Sequence, residues 1–140
     1  MPEKTLLLIK PDGVERRLEA KILSRIETAG LNIEAKKKLT PTPEQAADLY
    51  SPHLGKEFYP GLIKFITSGS IIACRVTGES AIARVRELMG ATDPRKAAAG
   101  TIRGDLKEDD VISEHGTIKN LVHGSDSPES AERELGIFFS

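Results

Sequence analysis

The chain has 140 residues, with 20 Lys and Arg against 21 Asp and Glu and a formal net charge of −1. That length predicts one domain with a substantial core, and the balanced charge excludes a general attraction to nucleic acid or to an anionic membrane. A single cysteine, Cys74, excludes an intrachain disulfide and suits a reducing compartment.

Taken in chain order, Thr5-Leu6-Leu7-Leu8-Ile9 is a short apolar run halted by Lys10-Pro11-Asp12-Gly13, which predicts a central strand ending in a turn. Strand-like sequence this early leaves no room for a signal peptide, and no apolar stretch could span a bilayer. The expectation is a soluble cytoplasmic protein. Leu18, Ile22, Ile26 and Ala29 recur at helical spacing, with Gly30 placed to end the helix. Leu31, Ile33, Ala35 and Leu39 alternate with polar residues as in a half-exposed strand, so the run Lys36-Lys37-Lys38 needs no partner.

Thr42-Pro43-Glu44-Gln45 fits a capping box and opens a helix through Ala46, Leu49 and Tyr50. Pro60 opens another, with Leu62, Ile63 and Ile66 inward. Ile71 to Val76 reads as a buried strand that includes Cys74, and Ser80 starts a helix ended by Gly90. The stretch 91–119 has little periodicity, a length that predicts a functional loop. Its charged residues Asp105, Glu108, Asp109 and Asp110 are spaced as a solvated loop rather than a metal site. A helix from Ser127 follows, and Gly136-Ile137-Phe138-Phe139 is expected to be a last short strand. The economical solution is an α+β sandwich: a split βαβ sheet of four antiparallel strands, helices on one face, and an inserted helical pair.

Of the three histidines, His53 and His115 sit in Pro- or Gly-bounded segments and read as ordinary loop residues. His123 is different. It precedes an evident helix start, where Asp126 or Ser127 can cap, Pro128 fits the first turn, and Glu129 and Glu132 suit the early turns. N–H groups at such a start favour anions. A histidine nucleophile beside a phosphate is the chemistry to expect.

The run Asn120-Leu121-Val122-His123-Gly124-Ser125-Asp126 resembles the active-site signature of the nucleoside diphosphate kinases. Further blocks resemble family landmarks in order: Lys10-Pro11-Asp12-Gly13, Tyr50, Phe58 with Leu62, Ser68-Gly69, Arg86, Gly90-Ala91-Thr92-Asp93-Pro94 and Gly100-Thr101-Ile102-Arg103-Gly104-Asp105. The resemblance spans nearly the whole chain as one domain, residues 1–140, and implies a ferredoxin-like fold.

It also implies the chemistry. His123 would take the γ-phosphoryl group of a nucleoside triphosphate, typically ATP, on Nδ1 and pass it to a nucleoside diphosphate by a ping-pong route. Lys10 would act as a point charge near that group and reach the sugar 3′ hydroxyl, while Arg86 and Arg103 would clamp phosphates. Thr92 would donate to a phosphate oxygen, Asn120 would hold the ribose, and Phe58 with Leu62 would sandwich the base, with little base selectivity. Tyr50 would hydrogen-bond near the lysine and histidine, and Glu134, with Ser125 beside it, would orient the imidazole. Magnesium would arrive with the nucleotide, held by phosphates and water. The resemblance further implies a homo-oligomer, a hexamer in preference to a tetramer or dimer.

The chain departs from the family pattern in places. Arg17 stands where glycine is usual, Lys56-Glu57 precede Phe58 where proline is common, and Tyr59 replaces a frequent second phenylalanine. The segment Leu106 to Lys119 is longer than in common members and adjoins the base site. Two rivals are weighed against the kinase. A non-catalytic binding module would be expected to have lost His123, and a phosphocarrier fed by a protein donor would leave Phe58, Leu62 and Asn120 without a purpose.

Overall fold

The computed structural model describes residues 2–139. Strand β1 (Glu3–Ile9) is followed by helices α1 (Pro11–Glu15) and α2 (Glu19–Thr28), strand β2 (Asn32–Leu39), and helices α3 (Pro43–Leu49) and α4 (Tyr59–Ile66). Then come strand β3 (Ile71–Gly78), helices α5 (Ala81–Met89) and α6 (Ile102–Leu106), strand β4 (Val122–Gly124) and helix α7 (Pro128–Phe139). The sheet order is β2-β3-β1-β4 with every neighbouring pair antiparallel, the expected split βαβ arrangement with α3 and α4 as the inserted pair.

Because strand side chains alternate, the apolar run of β1 feeds two cores. Leu7 and Ile9 meet α2 and α5 through Ile22, Ile26, Val85 and Met89. Leu6 and Leu8 meet α3, α4 and α7 through Ala46, Leu49, Ile66 and Phe138. Helices therefore cover both faces, where one was expected: the inserted pair and α7 occupy the second face.

The expected last strand is not there. Gly136–Phe139 continues α7, and the fourth strand is instead Val122–Gly124. Four apolar-rich residues fit either period. The deciding spacing is Ala131, Glu134 and Phe138, all buried on one side of a single helix.

Local signals elsewhere are realised in detail. Gln45 N–H donates to Thr42 Oγ1 at 3.1 Å and Thr42 N–H donates to Gln45 Oε1 at 2.9 Å, completing the capping box. Gly30 takes φ +88 just past α2. Two lysines of the exposed basic run on β2 have partners within the chain: Lys36 pairs with Glu19 at 2.6 Å, and Lys37 donates to the Phe138 carbonyl near the end of α7 at 2.7 Å. The long segment before β4 holds α6 and then a small hairpin, bridged between Ile112 and Ile118 with Gly116 at φ +79 in its turn.

Candidate active site

The β1–β4 register positions the centre of the site. Leu8 lies opposite His123, so His123 emerges on the face of α3, α4 and α7. Val122 and Gly124 point the other way, and a Cβ on Gly124 would come within 2.8 Å of Met89 Sδ and 3.2 Å of Val85 Cγ1. Glycine there lets α5 close against the strand. Arg86, carried by α5, donates to the Gly124 carbonyl at 3.3 Å.

His123 Nε2 lies 2.8 Å from Glu134 Oε1, and Ser125 Oγ donates to the same oxygen at 2.7 Å. Burial alone would raise the Glu134 carboxyl. The hydrogen bond and charge of His123, the Ser125 hydroxyl and nearby Arg133 outweigh it and hold the group below its usual range. An ionised carboxylate can only accept, so Nε2 carries a hydrogen, and in the neutral ring the lone pair is then on Nδ1. Ser127, one of the two proposed caps, accepts from Ser130 N–H at 3.1 Å and so fixes the start of the helix that carries Glu134.

Tyr50 ends α3, with its ring edge-on to His123 and the centroids 6.5 Å apart. Burial first, then the charges of Glu134 and Asp12, push its phenol up, so it stays neutral.

Lys10 follows β1 and donates through Nζ to Asn120 Oδ1 at 2.9 Å. Asn120 Nδ2 in turn donates to the Thr92 carbonyl at 3.0 Å. Burial, reinforced by the charge of Arg103 and opposed by Asp12, pulls the Lys10 ammonium down to about 8.

Arg103 is buried as well. Three of its five N–H groups donate to the carbonyls of Asn120, Gly90 and Val122, at 3.0, 3.0 and 2.7 Å. Burial, with the charge of Arg86, pulls it to about 10. Close packing sets its position: a Cβ on Gly104 would strike the Ala98 carbonyl, and one on Gly90 would meet Thr101 Oγ1 at 2.5 Å.

These groups line one cleft of about 620 Å³, together with Phe58, Leu62, Thr92 and Arg86. Every residue assigned to the site from the sequence lies on its wall except Ser125, which acts from behind through Glu134. Cationic groups and His123 gather where β1 ends, α6 begins and β4 passes, whereas Phe58 and Leu62 stand at the start of α4.

Several residues escaped the sequence reading. His53, read there as an ordinary loop residue, lines the cleft with its ring 5.3 Å from Phe58 and 6.3 Å from Tyr50. Burial and the charges of Lys56 and His123 lower its pKa. Its signal was its place three residues after Tyr50 in a tight turn. Arg133 lines the cleft and reaches Glu134 Oε2 at 3.4 Å.

Asp12 was quoted only as part of a block. Its Oδ2 accepts from the Leu121 N–H at 3.0 Å, while Lys10 N–H donates to the Leu121 carbonyl at 2.8 Å. Leu121, fully buried at φ +72, is thus clamped in a left-handed conformation between Asn120 and His123. No pattern in a single sequence announces such a backbone.

Residues 3–140 match the family model described as nucleoside diphosphate kinase. The chain is 52% identical to the nucleoside diphosphate kinase of Mycobacterium tuberculosis over 140 residues, covering 99% of this chain and 98% of that protein. It is 53% identical to that of Rubrobacter xylanophilus over 137 residues, covering 98% of each. Among solved structures it is similar to a halophilic nucleoside diphosphate kinase from Halobacterium salinarum in complex with CDP, with a TM-score of 0.90 and 43% identity over 100% of this chain and 89% of the other. It is also similar to a transition state mimic of the enzyme from Borrelia burgdorferi with bound vanadate and ADP, with a TM-score of 0.91 and 35% identity over 99% and 88%.

Proposed function

This chain belongs to the nucleoside diphosphate kinase family, and on that premise we propose that His123 carries the phosphoryl group between two nucleotides. As a phosphotransferase of this family it moves the terminal phosphoryl group of a nucleoside triphosphate to a nucleoside diphosphate. In the proposed route Nδ1 of His123 attacks the γ-phosphorus, the bond to the bridging oxygen breaks, and the diphosphate leaves. A second diphosphate then attacks the phosphohistidine and regenerates the free imidazole.

The observation that carries this reading is the Nε2 contact with Glu134 at 2.8 Å. It fixes the tautomer and the ring orientation, and leaves Nδ1 as the nucleophilic nitrogen of a ring that lines the cleft. As Nδ1 bonds to phosphorus the ring becomes cationic, and the Glu134 carboxylate stabilises that charge. Lys10, Arg86 and Arg103 offset the charge spread over the phosphoryl oxygens. The apolar pair Phe58 and Leu62 offers a face to any base, and Asn120 with Lys10 offers donors to the sugar.

Magnesium fits this site as a passenger of the nucleotide. Among the described residues no cluster of three His, Cys, Asp or Glu side chains is placed to cage a metal, and the cationic groups here suit phosphate oxygens. When bound, the ion would draw charge from the phosphates it chelates. We further propose a homo-oligomer, with a hexamer favoured, in the cytoplasm, on the resemblance to the family; light scattering tests the assembly.

Intact mass after brief exposure to Mg-ATP tests the central claim. One acid-labile phosphate adduct is expected, which moves onto GDP in a chase and is absent in His123→Gly. That variant should lose activity by about a thousandfold or more. Nucleotide binding without an adduct would overturn the mechanism.

A further inference from the structure

We propose that Arg133 is a positioning residue for phosphoryl transfer: it braces the outer oxygen of Glu134 against the end of α3, so that the carboxylate cannot turn away from His123. The inference rests on the reading that His123 carries the phosphoryl group, and it adds a residue that acts on the reaction without touching substrate.

The need for a brace lies in how Glu134 is bonded. His123 and Ser125 both meet Oε1, at 2.8 and 2.7 Å. The last torsion of a glutamate has a broad well, so contacts to one oxygen leave the carboxylate plane free to swing about it. Oε2 lies 3.4 Å from Arg133 Nη2. A donor on this second oxygen fixes the plane, and with it the direction in which Oε1 accepts from Nε2.

Helix geometry alone does not make that contact. Neighbours in a helix project about 100° apart and do not ordinarily face each other. Arg133 is drawn across by α3. There the Asp48 carbonyl lacks the usual partner four residues on, because that residue is Pro52 and has no N–H. The carbonyl accepts instead from Arg133 Nη1 and from Ser51 Oγ, the latter at 3.0 Å. One planar fork thus joins a helix-end carbonyl to a carboxylate, a geometry that suits guanidinium better than ammonium. Tyr50 ends the same helix with its ring edge-on to His123, so the brace ties together the two groups that flank the imidazole.

Arg133 also lines the cleft, which makes a phosphate clamp like Arg86 and Arg103 the rival role. The arrangement opposes it. Both arms of the fork are engaged within the protein, and they reach the imidazole through Glu134 on its Nε2 side, whereas phosphorus would bond at Nδ1. An inconsequential surface ion pair is the other rival, since exposed pairs are worth little.

Arg133→Met keeps the stem of the side chain and removes the fork. The expected result is a fall in kcat of about five- to tenfold with KM for ADP and GDP nearly unchanged, and Arg133→Lys should recover part of the loss. The critical measurement repeats Arg133→Met in the Glu134→Gln background. With its oxygen facing His123 and Ser125, the glutamine sets its NH2 against Arg133 as donor against donor. The brace is then already gone, and the second substitution should cost less than about twofold. An equal loss in both backgrounds would mean that Arg133 serves only the packing of α3 on α7. A rise in KM would make it a substrate contact, and an unchanged kcat would leave it a surface pair; each of these overturns the proposal. Failure of Mg-ATP to label wild-type His123 would instead remove the kinase reading beneath it.

Discussion

The two ends of the cleft are built on opposite principles. At the His123 end the working groups are buried and already bonded to one another. Lys10, Arg103, Asn120, Ser125 and Glu134 are each at most 6% exposed, and each has a partner within 3.0 Å. At the other end Phe58 is 48% exposed and its neighbours are carried by a helix start and a hairpin. Charge that must be stabilised at one atom requires donors fixed before the substrate arrives, because reorganising them would cost much of the gain. A flat base needs only a face. One end is therefore made from the central strands and the helices locked to them, and the other from a helix start and a hairpin.

The largest disturbance short of removing His123 should come from Glu134→Gln. Glutamine keeps an acceptor for Ser125 and the imidazole, so the fold survives, but it cannot neutralise the cationic ring. We expect kcat to fall by about ten- to hundredfold with KM nearly unchanged, read by steady-state kinetics. The acid side supplies a second readout. The Glu134 pKa is lower in the folded state, so its stabilisation is present above the ordinary carboxylate value near 4.5 and is lost as pH falls through the folded one. The melting temperature of the variant should therefore depend less on pH in the acid range.

Lys10 gives a smaller, pH-dependent break at the same end. Its ammonium titrates near 8 instead of 10.5, so the unfolded chain binds more protons between those values, and this group makes stability rise with pH across that window. In the proposed route Lys10 binds phosphate in its charged form. Above pH 8 the free protein must take up a proton to bind nucleotide, and kcat/KM should fall by about tenfold per pH unit. In Lys10→Arg that limb should move upward, because guanidinium keeps its charge. A wild-type profile that stays flat to pH 9 would show that Lys10 is charged in the free cleft.

The difference between the two ends also explains what the sequence disclosed. The His123 end could be read because its residues sit at element ends with strong punctuation: Pro11 and Gly13 after β1, Gly104 after Arg103, and Ser127-Pro128 opening α7. Glu134 was picked out by the family resemblance, and its spacing three residues after Ala131 agrees with the buried side of α7. Backbone geometry stayed hidden. The left-handed Leu121 and the Asp12 carboxylate that clamps it are tertiary facts. Arg17 is the instructive case, since glycine was expected there and the structure puts it at φ +59, where glycine adopts the conformation without strain. The last turn of α7 was misjudged because a four-residue apolar run has no period of its own. The hairpin was the least legible part, being held by serine and threonine bonds and by a single glycine contact.

The smallest effect should come from the exposed end. Phe58→Ala removes a stacking face, a change worth about 1–3 kcal/mol where a base is well enclosed. Phe58 is only half covered, and Leu62 with the hairpin remains, so the low end applies: about 1 kcal/mol, or roughly a fivefold rise in KM. Purine nucleotides, with more ring to stack, should lose more than pyrimidines, and kcat should hold because no phosphate contact is touched. Phe58→Tyr should restore KM, since only the face is needed. Initial rates with ADP and CDP across these variants measure it. A fall in kcat in place of a rise in KM would mean that the two ends are mechanically coupled, and that the base end helps to set His123 after all.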